Sequence, residues 1–201
     1  MKLLALRARR QSMKTLQTIS LLLLLGGCAR LPPVDIASPE SGRERVIVTD
    51  IDGTLTPRNT KIHTARPGAA AVLSKYHEKG FSIIYVTARH PLFQWGLQEW
   101  LDKSGFPPGA LHIAPNAKDR KHVAQYKSSV LKEYSLSGWK LSYAFGDSDT
   151  DFLAYQLAGI PKDQVIALQR EGASSCQAGC YAVCVKSWIE LENRNELDLQ
   201  D

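Results

Sequence analysis

Short apolar runs recur along the chain, separated by stretches whose apolar residues fall at helical spacing. The runs VIV (46–48), FSIIYV (81–86), LSYAF (141–145) and VIAL (165–168) are each flanked by polar residues or Gly. Such runs predict strands buried on both faces, as in a parallel sheet. The strands are expected over Arg45–Asp50, Phe81–Thr87, Leu141–Phe145 and Val165–Leu168, with a short one over Ala110–Ala114. Between them the pattern predicts helices over Pro67–Lys79, with Pro in the first turn and Gly80 as its stop, and over Leu92–Ser104, ended by Gly105. Further helices are expected over Lys121–Tyr134, Thr150–Leu157 and Ser187–Arg194. Repeated β-α units of this kind predict an α/β fold, a Rossmann-like three-layer sandwich with a mostly parallel central sheet. In such sheets ligands gather beyond the carboxyl ends of the strands. Asp50 and Asp52, Thr87, and Asp147 and Asp151 all fall at such ends.

Residues 1–44 break the pattern. ISLLLLLGGC (19–28) holds too few apolar residues to span a bilayer, which takes roughly 20. It reads as an export signal. Leu25-Gly26-Gly27-Cys28 resembles the bacterial lipobox, which implies cleavage before Cys28 and acylation of its sulfur. MKTLQTISLLLLLGGC, from Met13, is already a complete lipoprotein signal, so both Met1 and Met13 stay open as the start. Arg9-Arg10 is a weak hint of twin-arginine export. Ala29 after Cys28, where an Asp commonly retains lipoproteins at the inner membrane, points to the outer membrane facing the periplasm. Ala29–Glu44 is rich in Pro, Ser and charge, and reads as a flexible tether of roughly 20–25 Å. The expected organisation is a signal peptide over 1–27, a lipid-anchored Cys and tether over 28–44, and one domain over 45–201.

Charge adds little beyond this. The formal net charge is +5, but residues 1–27 hold five basic residues and no acid, so the remainder is neutral. Nucleic-acid binding is not implied. Export favours disulfides. With Cys28 acylated, Cys176, Cys180 and Cys184 remain, enough for one bridge. Their spacing is not a usual zinc pattern. Gly179 and the strand-like YAVCV suggest a hairpin, with Cys176 paired to Cys180.

The candidate chemistry lies in VIVTDIDGTLT (46–56) and GDSDTD (146–151). Paired acids at a buried strand tip are costly unless a cation sits among them. As a calcium loop GDSDTD fails, because Phe152 stands where an EF-hand needs Gly and Ala158 where it needs Glu. The five His are scattered and read as surface residues, although Arg89 and His90 follow Thr87 closely enough to line a crevice mouth. Trp95 and Trp100 read as core packing of the helix that holds them.

DIDGTLT, a Thr ending a later strand, a Lys, and GDSDTD, in this order, resemble the haloacid dehalogenase superfamily over Arg45–Leu168. The resemblance implies that Asp50 is a nucleophile forming an aspartyl phosphate and that Asp52 is the general acid and base. It implies that Thr87 and a lysine hold the phosphate. Mg²⁺ would be held by Asp50, the main-chain carbonyl of Asp52, Asp147 and Asp151. Lys127 is the expected lysine, with Lys118 and Lys121 as competitors. An acid two residues after the nucleophile marks phosphotransferases rather than dehalogenases. The gaps from Asp52 to Thr87 and from Thr87 to Lys127 hold no separate lid domain, so an open crevice is expected.

ARPGA, YVTARHPLFQWGLQEWL, the QYK helix and GDSDTDFLAYQLAGIP are similar to the lipin-type phosphatidate phosphatases and the related domain of phosphatidylinositol-transfer proteins. Tyr126 departs from the Phe expected before the lysine. The resemblance implies a Mg²⁺-dependent phosphomonoester phosphatase acting on a phospholipid such as phosphatidate at a membrane. The alternatives are a broad periplasmic acid phosphatase for small esters and a non-catalytic phosphatidate-binding module.

Overall fold

The computed structural model describes residues 36–58 and 60–193. Cys28, its lipobox and both candidate starts lie outside these residues. Six strands form one sheet: β1 (Arg45–Thr49), β2 (Ser82–Thr87), β3 (Gly109–Ile113), β4 (Lys140–Gly146), β5 (Val165–Leu168) and β6 (Val183–Val185). Their spatial order is β3-β2-β1-β4-β5-β6, and every pairing is parallel. The order reverses beside β1, which pairs with β2 on one edge and β4 on the other. That reversal opens a crevice where the connections leave in opposite directions.

Helices cover both faces and make three layers. On one face α1 (Ala69–Glu78), α2 (Leu97–Lys103) and α6 (Trp188–Asn193) bury Val72, Leu73, Leu97, Leu101, Trp188 and Leu191 against Ile47, Ile83, Tyr85 and Phe145. On the other, α4 (Val123–Leu136) and α5 (Asp149–Leu157) bury Val130, Leu131, Phe152 and Tyr155 against Val46, Val48, Ile84 and Ala144. Adjacent strand residues thus feed opposite cores, as the pleat requires. No further domain interrupts the described chain between β1 and β4.

Several expectations are corrected. The helix expected over Leu92–Ser104 is broken into a 3-10 turn, Pro91–Phe93, and α2. Gly96 takes the left-handed conformation, φ 69°, and starts α2 afresh. Trp95 is consequently turned out, 86% exposed, while Trp100 is buried at 7%; only Trp100 packs in the core. The helix expected over Lys121–Tyr134 is preceded by a separate α3 (Ala117–Lys121), capped by the Asn116 side chain accepting from Asp119 N at 3.0 Å.

YAVCV forms no hairpin. Val183–Val185 adds in parallel to β5, with Cys184 opposite Ala167. This register brings Cys184 to a Cα separation of 5.9 Å from Cys176, and the disulfide joins these two, leaving Cys180 free and exposed. The expected Cys176–Cys180 pair is therefore replaced, because strand addition rather than a local turn sets which sulfurs meet. In the segment read as a tether, Ile36 packs on the second core and the Ala37 carbonyl accepts from Trp139 Nε1 at 2.8 Å.

Alkylation of the unreduced protein, followed by peptide mapping, should modify Cys180 and spare Cys176 and Cys184; modification of Cys184 instead would return the pairing to Cys176–Cys180. Cys184→Ala should lower stability by about 2–3 kcal/mol in urea unfolding, as expected for opening a short loop.

Candidate active site

β1 delivers Asp50 to the crevice floor. The ladder continues one residue past the strand, with Asp50 N donating to Phe145 O at 3.0 Å, so neighbouring β4 fixes the aspartate backbone. The chain then turns sharply. Leu55 N and Thr56 N both donate to Ile51 O at 2.9 Å. Gly53 sits at φ 96°, and a Cβ there would lie 2.2 Å from Asp147 Oδ2. The turn therefore needs glycine for its conformation and for room beside the second acidic strand end. Buried Arg66 ties the turn to later elements, donating to the carbonyls of Gly53 at 2.9 Å and of Gln169 and Lys186 at 3.0 Å. Trp188 Nε1 donates to Thr54 O at 2.8 Å from α6.

β4 ends at Gly146 and hands Asp147 and Asp151 to the same place. Ser148 caps α5: its side chain accepts from Asp151 N, and Asp151 Oδ2 accepts from Ser148 N at 3.1 Å, Asp147 N at 3.2 Å and Ser148 Oγ at 2.7 Å. A cap residue is thereby committed through Oδ2 to its own helix, while Oδ1 faces inward. Lys127, from the second turn of α4, places Nζ between this oxygen and Asp50: it donates to Asp151 Oδ1 at 2.7 Å and to Asp50 Oδ1. Lys118 and Lys121 lie exposed on α3, whereas Lys127 is buried against Asp50.

Carboxylate oxygens of Asp50, Asp147 and Asp151 lie within 4.8 Å of one another, all three buried. Burial pushes the Asp50 carboxyl well above its usual range, and the neighbouring Asp151 charge adds to the rise. Burial also raises Asp147, with Asp151 adding and Arg170 opposing. Burial raises Asp151 too, but the Lys127 charge and hydrogen bonds from Lys127 and Ser148 outweigh it, and its carboxyl is held below the usual range. For Lys127, burial works against the charged form, yet Asp151 and Asp50 more than compensate and keep it an ammonium. Arg170 Nε donates to Asp147 Oδ2, and Thr54 Oγ1 donates to Asp147 Oδ1 at 3.2 Å. Asp50 Oδ2 is buried and has no hydrogen-bond partner.

Asp52 stands apart from this trio. Its carboxylate turns toward β2, where Thr87 Oγ1 donates to Oδ2 at 2.9 Å and Arg89 Nε donates to both oxygens at 3.0 Å. Asp50, Asp52, Thr87, Arg89, Lys127 and Asp151 line a cavity of about 530 Å³ that His90, Phe93, Arg170 and Gln177 also border. Residues read separately from the sequence are thus assembled at the ends of β2, β1 and β4. Arg89 and His90 both line the cavity, and Arg89 is buried there as a clamp on Asp52. Arg170, Arg66 and Ser148 had no motif to reveal them, although Ser-x-x-Asp over 148–151 has the form of a capping box.

The donor set, three buried carboxylates with one unpartnered oxygen, fits a hard divalent cation that takes oxygen ligands. Lys127→Met should leave Asp50 and Asp151 buried without their counter-charge and cost about 3–5 kcal/mol in chemical unfolding. A loss below about 1 kcal/mol would show the pair to be solvated in solution.

The chain is similar to several curated proteins. It is 27% identical over 134 residues to Protein retinal degeneration B of Drosophila melanogaster, covering 63% of this chain and 10% of that protein. It is 25% identical over 129 residues to Membrane-associated phosphatidylinositol transfer protein 3 of Homo sapiens, covering 62% and 13%. It is 25% identical over 162 residues to Phosphatidic acid phosphohydrolase 1 of Saccharomyces cerevisiae, covering 63% and 19%. This chain thus matches under a fifth of the length of each relative. Among solved structures, that of the Pnkp1/Rnl/Hen1 RNA repair complex superposes with a TM-score of 0.53 at 13% identity, over 72% of this chain and 48% of that one, a likeness of fold alone. A family model described as the LNS2 domain of PITM 1-3 matches residues 47–169, from β1 through the end of β5. More than half of the chain lies within that match, and it takes in every carboxylate of the crevice: this protein belongs to the LNS2 domain family of PITM 1-3.

Proposed function

We propose that this protein is a Mg²⁺-dependent phosphomonoester phosphatase of the haloacid dehalogenase type, acting on a phospholipid phosphate such as phosphatidate. The observation that carries this reading is the buried trio of Asp50, Asp147 and Asp151 with Lys127 against Asp50. The similarity to Phosphatidic acid phosphohydrolase 1 supports the substrate class. Bound Mg²⁺ would be held by Asp50, Asp147 and Asp151, and would supply charge neutralisation and orientation of the phosphoryl oxygens.

The chain's own residues do the rest. Lys127 fixes the Asp50 carboxylate and offsets phosphoryl charge. An Asp50 oxygen attacks phosphorus as the bond to the leaving oxygen breaks, and Asp52 gives that oxygen its proton. Asp52 then takes a proton from water, whose oxygen attacks the phosphoryl-Asp50. The bond to Asp50 breaks, and inorganic phosphate leaves. The crevice lies open beyond the strand ends, which suits a headgroup presented from a surface. The lipobox reading places the protein in the bacterial cell envelope, anchored through acyl chains on Cys28 and facing the periplasm from the outer membrane.

One observation favours a second reading, a module that binds phosphatidate without hydrolysing it. Both oxygens of Asp52 are engaged by Arg89 and Thr87, an arrangement that occupies this acid with the chain's own groups. Relatives described as phosphatidylinositol transfer proteins share the domain. Turnover separates the two.

Phosphate release from phosphatidate in mixed micelles and from a small aryl phosphate is the test, each with Mg²⁺ and with chelator. Metal-dependent release from phosphatidate should fall at least roughly a thousandfold in Asp50→Asn, the order expected for loss of a nucleophile. Release from the aryl ester alone would assign a broad acid phosphatase, and lipid binding without release would assign the binding module. Cys28→Ala should abolish incorporation of labelled palmitate and move the protein from the membrane to the soluble fraction of the envelope; unchanged labelling would remove the anchor.

A further inference from the structure

Arg89 is 2% exposed in its side chain, and its guanidinium is held by one edge. Nη1 donates to the carbonyls of Ile62 at 3.1 Å and Phe93 at 3.4 Å, which pins the group to two loops. The other edge, Nε and Nη2, meets Asp52: Nε donates to both carboxylate oxygens at 3.0 Å, while buried Nη2 lies 2.8 Å from Oδ1 without a hydrogen bond of its own. Thr87 joins the same grip: its hydroxyl accepts from Arg89 N at 3.1 Å and donates to Asp52 Oδ2. Arg89 and Thr87 thus form a rigid cationic fork with a hydroxyl beside it, aimed into the cavity and filled by a carboxylate from the chain itself.

An arginine fork fits a phosphoryl group as it fits a carboxylate, with two parallel N–H···O bonds in either case. Asp52 is the looser partner. It is 17% exposed in its side chain and sits in the turn beyond β1, whereas Arg89 is locked to two loops.

We infer that Arg89 is a phosphate-binding residue and that Asp52 occupies the substrate's place on it until a phosphoryl group arrives. The incoming anion takes the Nε–Nη2 edge and the Thr87 hydroxyl, one anion replacing another, so the buried guanidinium is never left unpaired. The displaced Asp52 is then free to turn toward the leaving oxygen. This exchange also explains how Thr87 and Asp52 can both serve the substrate when, without it, each is bonded to the other. The inference rests on reading the crevice as a phosphate site, but not on turnover.

The test is a double-mutant cycle on binding. Inorganic phosphate is titrated into the full-length protein with Mg²⁺ by calorimetry, for the unaltered chain, Asp52→Asn, Arg89→Gln and the double variant. Asp52→Asn removes the competing anion and should tighten phosphate binding at least about fivefold. Arg89→Gln should weaken it about tenfold or more, and with Gln at 89 the Asp52→Asn change should have less than about a twofold effect. A merely structural Arg89 predicts no such dependence of one substitution on the other. Should Arg89→Gln fail to fold by thermal melting, Arg89→Lys keeps the charge without the fork and should still weaken binding. Unchanged affinity in Asp52→Asn, equal effects of that change in both backgrounds, or no measurable phosphate binding by the unaltered chain would overturn the inference. The predicted cycle in a protein that releases no phosphate from any ester would uphold it while the phosphatase reading fell.

Discussion

Carboxylates crowded together and buried at strand ends repel one another and cannot all stay ionised without compensation, and this constraint organises the molecule. Asp50, Asp147 and Asp151 form a buried cluster at the strand ends, with Asp52 beside it in the crevice. Three cations of the chain answer them directly: Lys127 between Asp50 and Asp151, Arg170 on Asp147, and Arg89 on Asp52. An unpartnered Asp50 oxygen is left over. A cluster of buried carboxylates with a free oxygen is suited to a divalent cation, which would turn it into a receptor for an anion.

The fold supplies these groups from places far apart in sequence. β1 lies between β2 and β4, so its terminal acids meet Thr87 on one side and Asp147 on the other. Ladder hydrogen bonds set those strand ends in register, and α4 brings Lys127 across the sheet face to complete them. Arg66 and Trp188 tie the Gly53–Thr54 turn to the segments around β6. Even the remote edge of the sheet thus bears on where Asp50 and Asp52 point. The disulfide between Cys176 and Cys184 closes the loop that carries Gln177, which accepts from Asp149 N at 3.0 Å at the start of α5.

Asp52 and Arg89 show how one residue can belong to two states. The Asp52 carboxylate, gripped by a buried guanidinium, satisfies that arginine and is turned toward Thr87 rather than into the acidic trio. Both facts are compatible with catalysis if the grip passes to a phosphoryl group, and both are compatible with simple binding if it does not. The chemistry of the arginine fork, which accepts either anion in the same geometry, is what leaves the two open to the same fold.

Much of this was legible in the sequence. Apolar runs marked β1, β2, β4 and β5 because strands buried on both faces have no polar side to interrupt them. The acids were visible because carboxylates are costly at strand tips unless they have work to do. What tertiary structure alone decided has a common cause, pairing between residues distant in the chain. Trp95 left the core because Gly96 restarted the helix, which periodicity across 92–104 could not register. Cys184 took Cys176 because β6 joined β5 in parallel, so the sulfurs met through the sheet rather than through their spacing. Lys127 meets Asp50 because it lies on the second turn of α4 against the strand ends, while Lys118 and Lys121 lie exposed on α3. The Arg89 clamp had no pattern of its own, since an arginine two residues past a strand end reads alike whether it faces water or holds a buried acid.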